Sequence, residues 1–432
     1  MPTQFNRSIA AVCIICIIYL QSCFKDHCTQ TYKYFSPVYR TTAQVRANIK
    51  SNPEQPIERI GKLYIKGRYI FLNELDKGIH IIDNINPAAP RNVAFITIPG
   101  NMDMAVKGNT LYADAYTDMI TLDITDPLHV KTTSIIESAF PFRQYYGYFY
   151  PDSSKVIVDW EKRDTTVDIE CGNGGFFGVE FDKTEVLTYN DMVSLASAGQ
   201  SYSSSTKSSS SPSPFGAGGS MARFAIAGNN LYTVTTSDLN VFGINNIESP
   251  SYSKKISIGM NIETIYPFKE KLFIGSTGGM FIYNISNGSD PYKEGQFSHV
   301  QSCDPVIADD KFAYVTLRTG TACNGLDQLD ILDITDVNNP SLVKTYSMTN
   351  PHGLSKDGDL LFICDGKDGL KIYNATKAND IKLLTTIPDI ETYDVIAMNG
   401  VALVITSKGL YQYSYTDINN IQLLSKMETT SL

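Results

Sequence analysis

One strand-like phrase returns seven times along this chain, mostly at a spacing close to 40 residues. Each copy is a short apolar strand that runs into a polar turn, as in GIHIIDNINPAAP and DMITLDITDPLHV. The copies begin at Gly78, Asp118, Asp238, Gly278, Asp327, Asp368 and Lys408. A period of about 40 residues made of short strands and turns is typical of one four-stranded propeller blade per repeat. The sequence therefore predicts an all-β fold, a single β-propeller over residues 59–428.

The number of blades depends on the gap of 120 residues between the second and third copies. Residues 141–170 read as strands of a degenerate blade, and residues 171–221 as a disordered Gly/Ser-rich insert that has too little apolar surface to offset the entropy of ordering. We favour eight blades, because an unpaired β-rich segment within the ring would leave open strand edges. Seven blades, without the degenerate unit, is the alternative.

The N-terminus is built differently from the repeats. Arg7 is followed by a nearly continuous apolar stretch over residues 9–20 and then by Leu-Gln-Ser-Cys, which ends at Cys23. The stretch is too short to span a bilayer and is typical of a signal peptide. Its ending resembles a bacterial lipobox, which implies removal of residues 1–22 and a lipid on Cys23. The resemblance predicts an outer-membrane lipoprotein that faces the periplasm or the cell surface; an ordinary cleaved signal peptide is the alternative.

Residues 23–58 read as a polar lead-in that carries this lipid anchor, with one short helix predicted at 41–49. Five of the eight cysteines lie beyond Cys23, and none of these has the CxxC spacing of a zinc site. Because an exported chain meets an oxidising compartment, disulfides are favoured. Strand phasing puts Cys303 and Cys323 at one end of the same hairpin and predicts a bridge between them, while Cys364 is expected to be free or buried.

The recurring strand-Asp-Ile-x-Asx-Pro pattern, as in LDITDP at 122–127 and LDITDVNNP at 332–340, resembles the LVIVD-repeat family of bacterial β-propellers. The resemblance covers residues 59–427 and fails only in the degenerate unit. It implies a secreted or surface lipoprotein of a family whose members mostly have no assigned activity.

Charge and motif content exclude several classes of function. The net charge of -9 and the pI of about 5.1 offer no basic surface for phosphate backbones, so we expect no nucleic-acid partner. The sequence has no nucleophile-elbow, zinc-protease, P-loop or dinucleotide motif. No cofactor is therefore predicted from motifs.

Polar residues fall into two groups. Asp83, Asp123 and Asp333 recur at the end of the repeated phrase, which predicts Asx-turns that shape the blades. The residues that do not recur are the better site candidates, since the start of a first strand and the end of a second strand meet at one face of a propeller. This phasing gathers Asp304, Arg318, His352 and Asp365 at the channel mouth, with Asp103, Glu263 and Asp394 at similar positions in other blades.

Three interpretations of this cluster compete: a satisfied structural network, a ligand site, and an acid–base or metal site in which His352, Asp304 and Asp365 would act or hold a divalent cation. We predict a noncatalytic binding or scaffolding propeller that recognises a protein or a glycan at this face. A propeller hydrolase or lyase is the alternative.

Overall fold

The computed structural model describes residues 27–143, 154–170, 217–220, 222–259, 261–299, 305–319 and 326–430. The signal peptide, Cys23, Cys303, Asp304, Cys323 and most of the proposed insert lie outside these ranges. The predicted lipid anchor and the predicted disulfide therefore remain predictions. Cys364, by contrast, is a free and fully buried cysteine, as expected.

The described residues form two compact units. The smaller one holds residues 27–38 and 159–170, which belong to β1 (His27–Thr41) and β11 (Lys155–Glu170). These two strands pair in a two-stranded sheet, in which the Thr31 and Thr166 hydroxyls lie 3.1 Å apart. The larger unit contains the remaining described residues and is the propeller.

The propeller has seven four-stranded antiparallel blades across the described residues, each built from strands consecutive in the chain. Blade 1 is β3 (Ile60–Lys66), β4 (Tyr69–Glu74), β5 (Gly78–Asp83) and β6 (Arg91–Thr97). Blade 2 is β7 (Met104–Lys107), β8 (Thr110–Ala115), β9 (Asp118–Asp123) and β10 (Lys131–Ile136). Blade 3 is β13 (Phe224–Ala227), β14 (Asn230–Val234), β15 (Asp238–Gly243) and β16 (Ser251–Ser257).

The other four blades repeat this plan. Blade 4 is β17 (Ile262–Phe268), β18 (Lys271–Ser276), β19 (Gly279–Asn284) and β20 (Tyr292–Ser298). Blade 5 is β21 (Val306–Ala308), β22 (Phe312–Leu317), β23 (Gln328–Asp333) and β24 (Ser341–Ser347). Blade 6 is β25 (Leu354–Asp357), β26 (Leu360–Cys364), β27 (Leu370–Asn374) and β28 (Lys382–Ile387). Blade 7 is β29 (Thr392–Met398), β30 (Val401–Thr406), β31 (Gly409–Ser414) and β32 (Gln422–Glu428).

The all-β propeller fold is confirmed, and its blade count is the alternative of seven rather than the favoured eight. The segment that we interpreted as a degenerate blade contributes β11, whose partner is the lead-in strand β1. Because β11 pairs with β1 and with no strand of a blade, the segment does not form an eighth blade.

The repeated phrase forms the third strand of each blade and its following turn. The Asx-turn prediction is confirmed: backbone N–H groups two residues further on donate to the side chains of Asp83, Asp123 and Asp333, at 3.2, 2.8 and 2.8 Å. Third strands are almost wholly buried, whereas outer strands such as β16 are exposed along most of their length. The phrase therefore recurs because it builds the core and corner of every blade.

The lead-in segment joins the first two blades. The predicted helix is confirmed as α1 (Thr42–Arg46), which Thr41 and Gln44 begin with a reciprocal capping box. Arg46 pairs with Asp118 of blade 2 at 2.7 Å. The strand β2 (Lys50–Asn52) pairs with the outer strand of blade 1 and covers that edge.

The ring closes between blades 7 and 1 without exchanging a strand. Asn84 and Gln412 donate to each other through their amides at 3.0 and 2.8 Å. The Ser425 hydroxyl donates to the Pro87 carbonyl at 2.7 Å, and the Thr430 N–H donates to the Ile57 carbonyl at 2.8 Å. A shared apolar cluster that includes Leu72 and Leu403 fills the space between these hydrogen bonds.

A short segment crosses the central channel and ties three blades together. We call residues 217–220 and Ala222 the channel strut. Its strand β12 (Ala217–Gly218) pairs with the inner strand of blade 1. The Ser220 hydroxyl accepts from the Leu354 N–H of blade 6 at 3.0 Å, and the Ala222 carbonyl accepts from the Ile265 N–H of blade 4 at 2.9 Å. The predicted disorder of 171–221 is therefore wrong for residues 217–220, because these buried backbone and hydroxyl groups are hydrogen-bonded inside the ring.

Replacing Ser220 with alanine is expected to lower the free energy of unfolding by about 1–3 kcal/mol, since the buried Leu354 N–H would lose its acceptor. Chemical denaturation measures this difference. Ser347→Ala, which changes an exposed serine on the outer strand of blade 5, is the matched control and should leave stability unchanged. Equal stability of the Ser220 variant and the wild type would show that the strut does not brace the ring.

Candidate functional site

Four charged side chains occupy equivalent positions near the beginning of the inner strands of four blades. Each lies four residues before the last residue of the inner strand; two of them lie within the strand and two directly precede its first residue. We call them the channel ring: Lys62 in blade 1, Asp103 in blade 2, Arg223 in blade 3 and Asp394 in blade 7. The sequence predicted Asp103 and Asp394 at this position of the repeat. It did not predict Lys62 and Arg223.

Asp103 is the buried acceptor of the ring. Its carboxylate accepts from the Met104 N–H at 2.7 Å and from the Arg223 N–H, so it fixes the start of blades 2 and 3. Burial raises the pKa of Asp103, although Lys62 and these N–H donors oppose the rise. Burial also lowers the pKa of Lys62 to about 8, against the attraction of Asp103 and Asp394. The attraction between the Asp103 carboxylate and the Lys62 ammonium therefore offsets only part of the cost of burying their charges.

A pocket of about 310 Å³ opens beside the ring, between blades 2 and 3. We call it the blade 2–3 pocket. Its charged lining residues are Asp103, Asp114, Arg143 and Arg223. Its aromatic lining residues are Tyr116, Phe140, Phe142 and Phe224. A largely apolar concavity with a few converging polar groups is the usual form of a ligand site.

The pocket wall is held in place by a stack of three residues. Tyr116 has a left-handed backbone with φ of 58°, and its ring packs directly against Gly100. The Arg143 guanidinium lies over the same ring, 4.6 Å from its centre, while pairing with Asp76 at 2.7 Å and donating to the Gly100 carbonyl. A non-glycine residue in this conformation costs energy that the surrounding contacts must offset. The wall is therefore rigid before any ligand arrives.

Gly100→Ala is expected to distort this wall. An added Cβ would lie 2.5 Å from the Tyr116 ring, and the residue has φ of 79°, so both the ring and the backbone would have to shift. We expect a loss of about 1–3 kcal/mol in unfolding free energy. Gly67→Ala is the matched control, because Gly67 also has positive φ but nothing lies within 4 Å of the added Cβ. Equal losses in the two variants would show that the contact with Tyr116 contributes nothing.

Two residues of the pocket, Asp114 and Arg223, have polar atoms without a hydrogen-bond partner among the described residues. The Asp114 Oδ1 atom accepts three hydrogen bonds, from the Asn101 side chain and from the N–H groups of Met102 and Asp103, at 2.8–2.9 Å. Within the part of the chain that the structure describes, Asp114 Oδ2 and the two terminal nitrogens of Arg223 have no hydrogen bond or ion pair. The Arg223 Nε atom donates weakly to the Glu263 carbonyl at 3.4 Å. The Asp114 Oδ2 atom can therefore accept, and the two terminal nitrogens of Arg223 can donate, hydrogen bonds to a ligand in the pocket that these residues line.

The predicted residues Arg318 and His352 are both buried, and Arg318 lies close enough for its charge to act on His352. Burial, together with the positive charge of Arg318, lowers the pKa of His352 to about 3. Its ring meets Tyr393 edge-on at 5.3 Å, and its Nδ1 atom has no hydrogen-bond partner among the described residues. His352 is therefore a neutral imidazole at physiological pH.

Asp365 is engaged in local structure. Its carboxylate accepts from the backbone N–H groups of Thr349 and Asn350, at 3.0 and 2.8 Å, and pairs with Lys371. These contacts hold the connection between blades 5 and 6 against the end of β26. Of the four predicted site residues, Arg318 lies close to His352. The Asp365 carboxylate already has structural partners. Asp304 lies outside the described residues.

Sequence reasoning missed Lys62, Arg223 and Asp114. The repeat offers a signal for the first two, because they stand at the same inner-strand position as Asp103 and Asp394. Asp114 lies in a second strand, where apolar residues alternate around it, and its role depends on the connection before blade 2 folding back onto it. No local sequence pattern predicts the hydrogen bond between this connection and Asp114.

In the described part of the chain, no group of three or more His, Cys, Asp or Glu side chains could hold a metal ion. No helix found there has the length and apolar character needed to cross a membrane.

No family model and no curated protein matches the chain. Among solved structures, the chain is similar to Sqt1 of Saccharomyces cerevisiae, with 9% identity, a TM-score of 0.49, and coverage of 91% of this chain and 89% of that chain. It is also similar to BamB from Moraxella catarrhalis, with 8% identity, a TM-score of 0.46, and coverage of 90% and 98%. The chain is also similar to the computationally designed protein Ika8, with 10% identity, a TM-score of 0.47, and coverage of 88% of this chain and 92% of that chain. Likenesses at this level carry no argument about function.

Proposed function

We propose that this protein is a noncatalytic binding propeller that holds a protein or glycan partner on the face containing the channel ring and the blade 2–3 pocket. The proposal rests above all on the pocket, where Asp114 and Arg223 offer hydrogen-bonding groups that no described residue uses. A preformed concavity with unused polar groups is suited to recognising a ligand. A propeller fold agrees with a binding or scaffolding role in general.

The alternative enzyme has less support. A general acid or base needs a pKa near the working pH, but His352 has a pKa of about 3 and is neutral. Asp365 already accepts two backbone hydrogen bonds and an ion pair. Neither residue has the free carboxylate or the poised imidazole that proton transfer requires, so His352 and Asp365 give acid–base catalysis no support.

A direct test compares binding by two variants that place a charge on an exposed apolar residue. Phe142, 40% exposed, lines the pocket, whereas Leu342, 49% exposed, lies on the outer strand of blade 5. Purified protein would be screened against panels of glycans and of cell-envelope proteins. Phe142→Asp should weaken the strongest interaction at least tenfold, and Leu342→Asp should leave it intact. Binding unaffected by Phe142→Asp, or turnover of glycoside, ester or phosphate substrates, would contradict the proposal.

We further propose that the propeller is a lipoprotein of the outer membrane, held by a lipid on Cys23. Support comes from the sequence alone: the positive start, the apolar stretch over 9–20 and the lipobox-like Leu-Gln-Ser-Cys. Cys23→Ala should move the protein from the membrane fraction to the soluble fraction and abolish incorporation of labelled fatty acid, because stable anchoring of this kind depends on the acyl chains. Cys28→Ala is the matched control. Membrane retention of the Cys23 variant would refute the anchor.

A further inference from the structure

We propose that the blade 2–3 pocket binds one uncharged sugar ring of a glycan through hydroxyl groups that bridge Asp114 and Arg223. The inference rests on the proposed binding function and names the class of ligand for the same site. It follows from three features of the pocket: the chemistry of its two unused polar groups, its aromatic lining and its size.

The two polar groups complement a hydroxyl-bearing ligand. Asp114 Oδ2 can only accept a hydrogen bond when ionised, and the terminal nitrogens of Arg223 can only donate. The two residues line one pocket, yet no ion pair within 4.0 Å joins them. A sugar hydroxyl both donates and accepts, so neighbouring hydroxyls on one ring satisfy the carboxylate and the guanidinium together.

An uncharged ligand suits this site better than a zwitterion. Arg143 already neutralises part of the local negative charge, and Asp103 is matched by Lys62 and Arg223. An amino acid would bring an ammonium and a carboxylate into this half-buried site, and both charges would have to be stripped of water. Hydroxyls gain charge-assisted hydrogen bonds at a smaller desolvation cost.

The lining of the pocket suits the body of a sugar. Phe140 and Phe224 lie with ring centres 5.6 Å apart in a tilted arrangement, and Phe142 exposes 40% of its surface at the pocket edge. Aromatic rings give a large, rigid contact surface to the C–H faces of a pyranose. The volume of about 310 Å³ lies at the lower end for ligand pockets and fits one ring, with the remainder of a glycan outside.

The test is a titration of wild-type protein with a panel of neutral monosaccharides and their methyl glycosides, followed by saturation-transfer NMR and calorimetry. Free glycine and phenylalanine provide the zwitterionic arm. Asp114→Asn and Arg223→Gln should each weaken sugar binding at least tenfold, and Phe142→Leu should reduce saturation transfer to the sugar C–H protons.

Two control variants each remove one charge from a residue that does not line the pocket. Asp123→Asn changes a carboxylate at the opposite end of blade 2, and Arg91→Gln changes an exposed guanidinium on blade 1. Both should bind sugar like the wild type. Thermal unfolding of all five variants confirms that they fold.

The outcomes separate this inference from the proposed function. Sugar binding that is lost in the Asp114 and Arg223 variants but not in the controls supports both. Tighter binding of the zwitterions, or binding of an envelope protein at Phe142 with no sugar bound, overturns the sugar inference and leaves the binding propeller standing. Sugar binding that all the variants retain assigns the sugar to another surface and also overturns the inference.

Discussion

Replacing Glu74 with alanine is expected to lower the free energy of unfolding by about 3–5 kcal/mol. The side chain lies at the end of β4 with 2% of its surface exposed, and its carboxylate accepts from the Glu58 N–H at 3.0 Å, from the Arg59 N–H and from His80 at 3.1 Å. His80 is itself wholly buried in the next strand. Removing the carboxylate would leave these groups without their acceptor inside the first blade.

The pH dependence of this loss has a definite sign. Burial alone would raise the pKa of Glu74, but the hydrogen bonds from His80, Glu58 and Arg59 outweigh it and leave the pKa below the ordinary value of 4.5. A depressed carboxyl pKa stabilises the folded state above the unfolded-state pKa, and this contribution is lost as the pH falls through the folded-state pKa. The difference between wild type and Glu74→Ala should therefore shrink below about pH 4.

Denaturant titrations at several pH values measure the effect of Glu74. Glu74→Gln keeps one acceptor oxygen and should lose less stability than the alanine variant. Glu58→Ala removes a half-buried carboxylate that pairs with the exposed Lys77, and it serves as the control, which should change stability by less than about 1 kcal/mol. An alanine variant as stable as the wild type would show that His80 and the two N–H groups find other acceptors.

Asp114→Asn is expected to make the protein more stable at pH 7, by about 2–3 kcal/mol. Burial raises the pKa of Asp114 to about 6, against the effect of Arg143 and the N–H groups of Met102 and Asp103. The folded state therefore binds more protons than the unfolded chain between pH 3.8 and about 6, and stability falls as the pH rises through this range. Asparagine keeps the Oδ1 acceptor and removes the charge.

Thermal unfolding between pH 4 and pH 8 checks this prediction. The gain from Asp114→Asn should be largest above pH 6 and should disappear towards pH 4, whereas Asp123→Asn should show no such rise, because hydrogen bonds from Thr125 hold the pKa of Asp123 below its ordinary value. A variant that is less stable than the wild type at every pH would mean that Asp114 is a structural acceptor only. A charge retained at the expense of stability is characteristic of a binding site.

Much of the fold could be predicted because each blade is encoded locally. The apolar third strand and the Asx residue after it, as at Asp123 and Asp333, specify a strand and its corner within a dozen residues. The blade count could not be read in the same way. Residues 155–170 have the pattern of a strand, but their partner is β1, more than 100 residues earlier in the chain, and pairing at that distance leaves no trace in local alternation.

The site was harder to predict than the fold. The repeat of about 40 residues predicted that Asp103 and Asp394 lie at one height in the ring, because equivalent positions of a repeat lie at one height. It could not show that the Asp365 carboxylate would be taken by two backbone N–H groups, nor that Asp114 would keep one oxygen free. Both outcomes depend on how connections between blades fold back, and these connections vary from blade to blade.

The closure of the ring bears on how such a molecule can change over evolutionary time. Every blade contains four strands that are consecutive in the chain, with β2 and β12 added at the edges of blade 1, and blades 7 and 1 meet through side chains such as Asn84 and Gln412 instead of sharing a sheet. A duplication or loss of one repeat would add or remove a complete blade and leave every remaining sheet whole. The gene can therefore lengthen or shorten in units of one repeat.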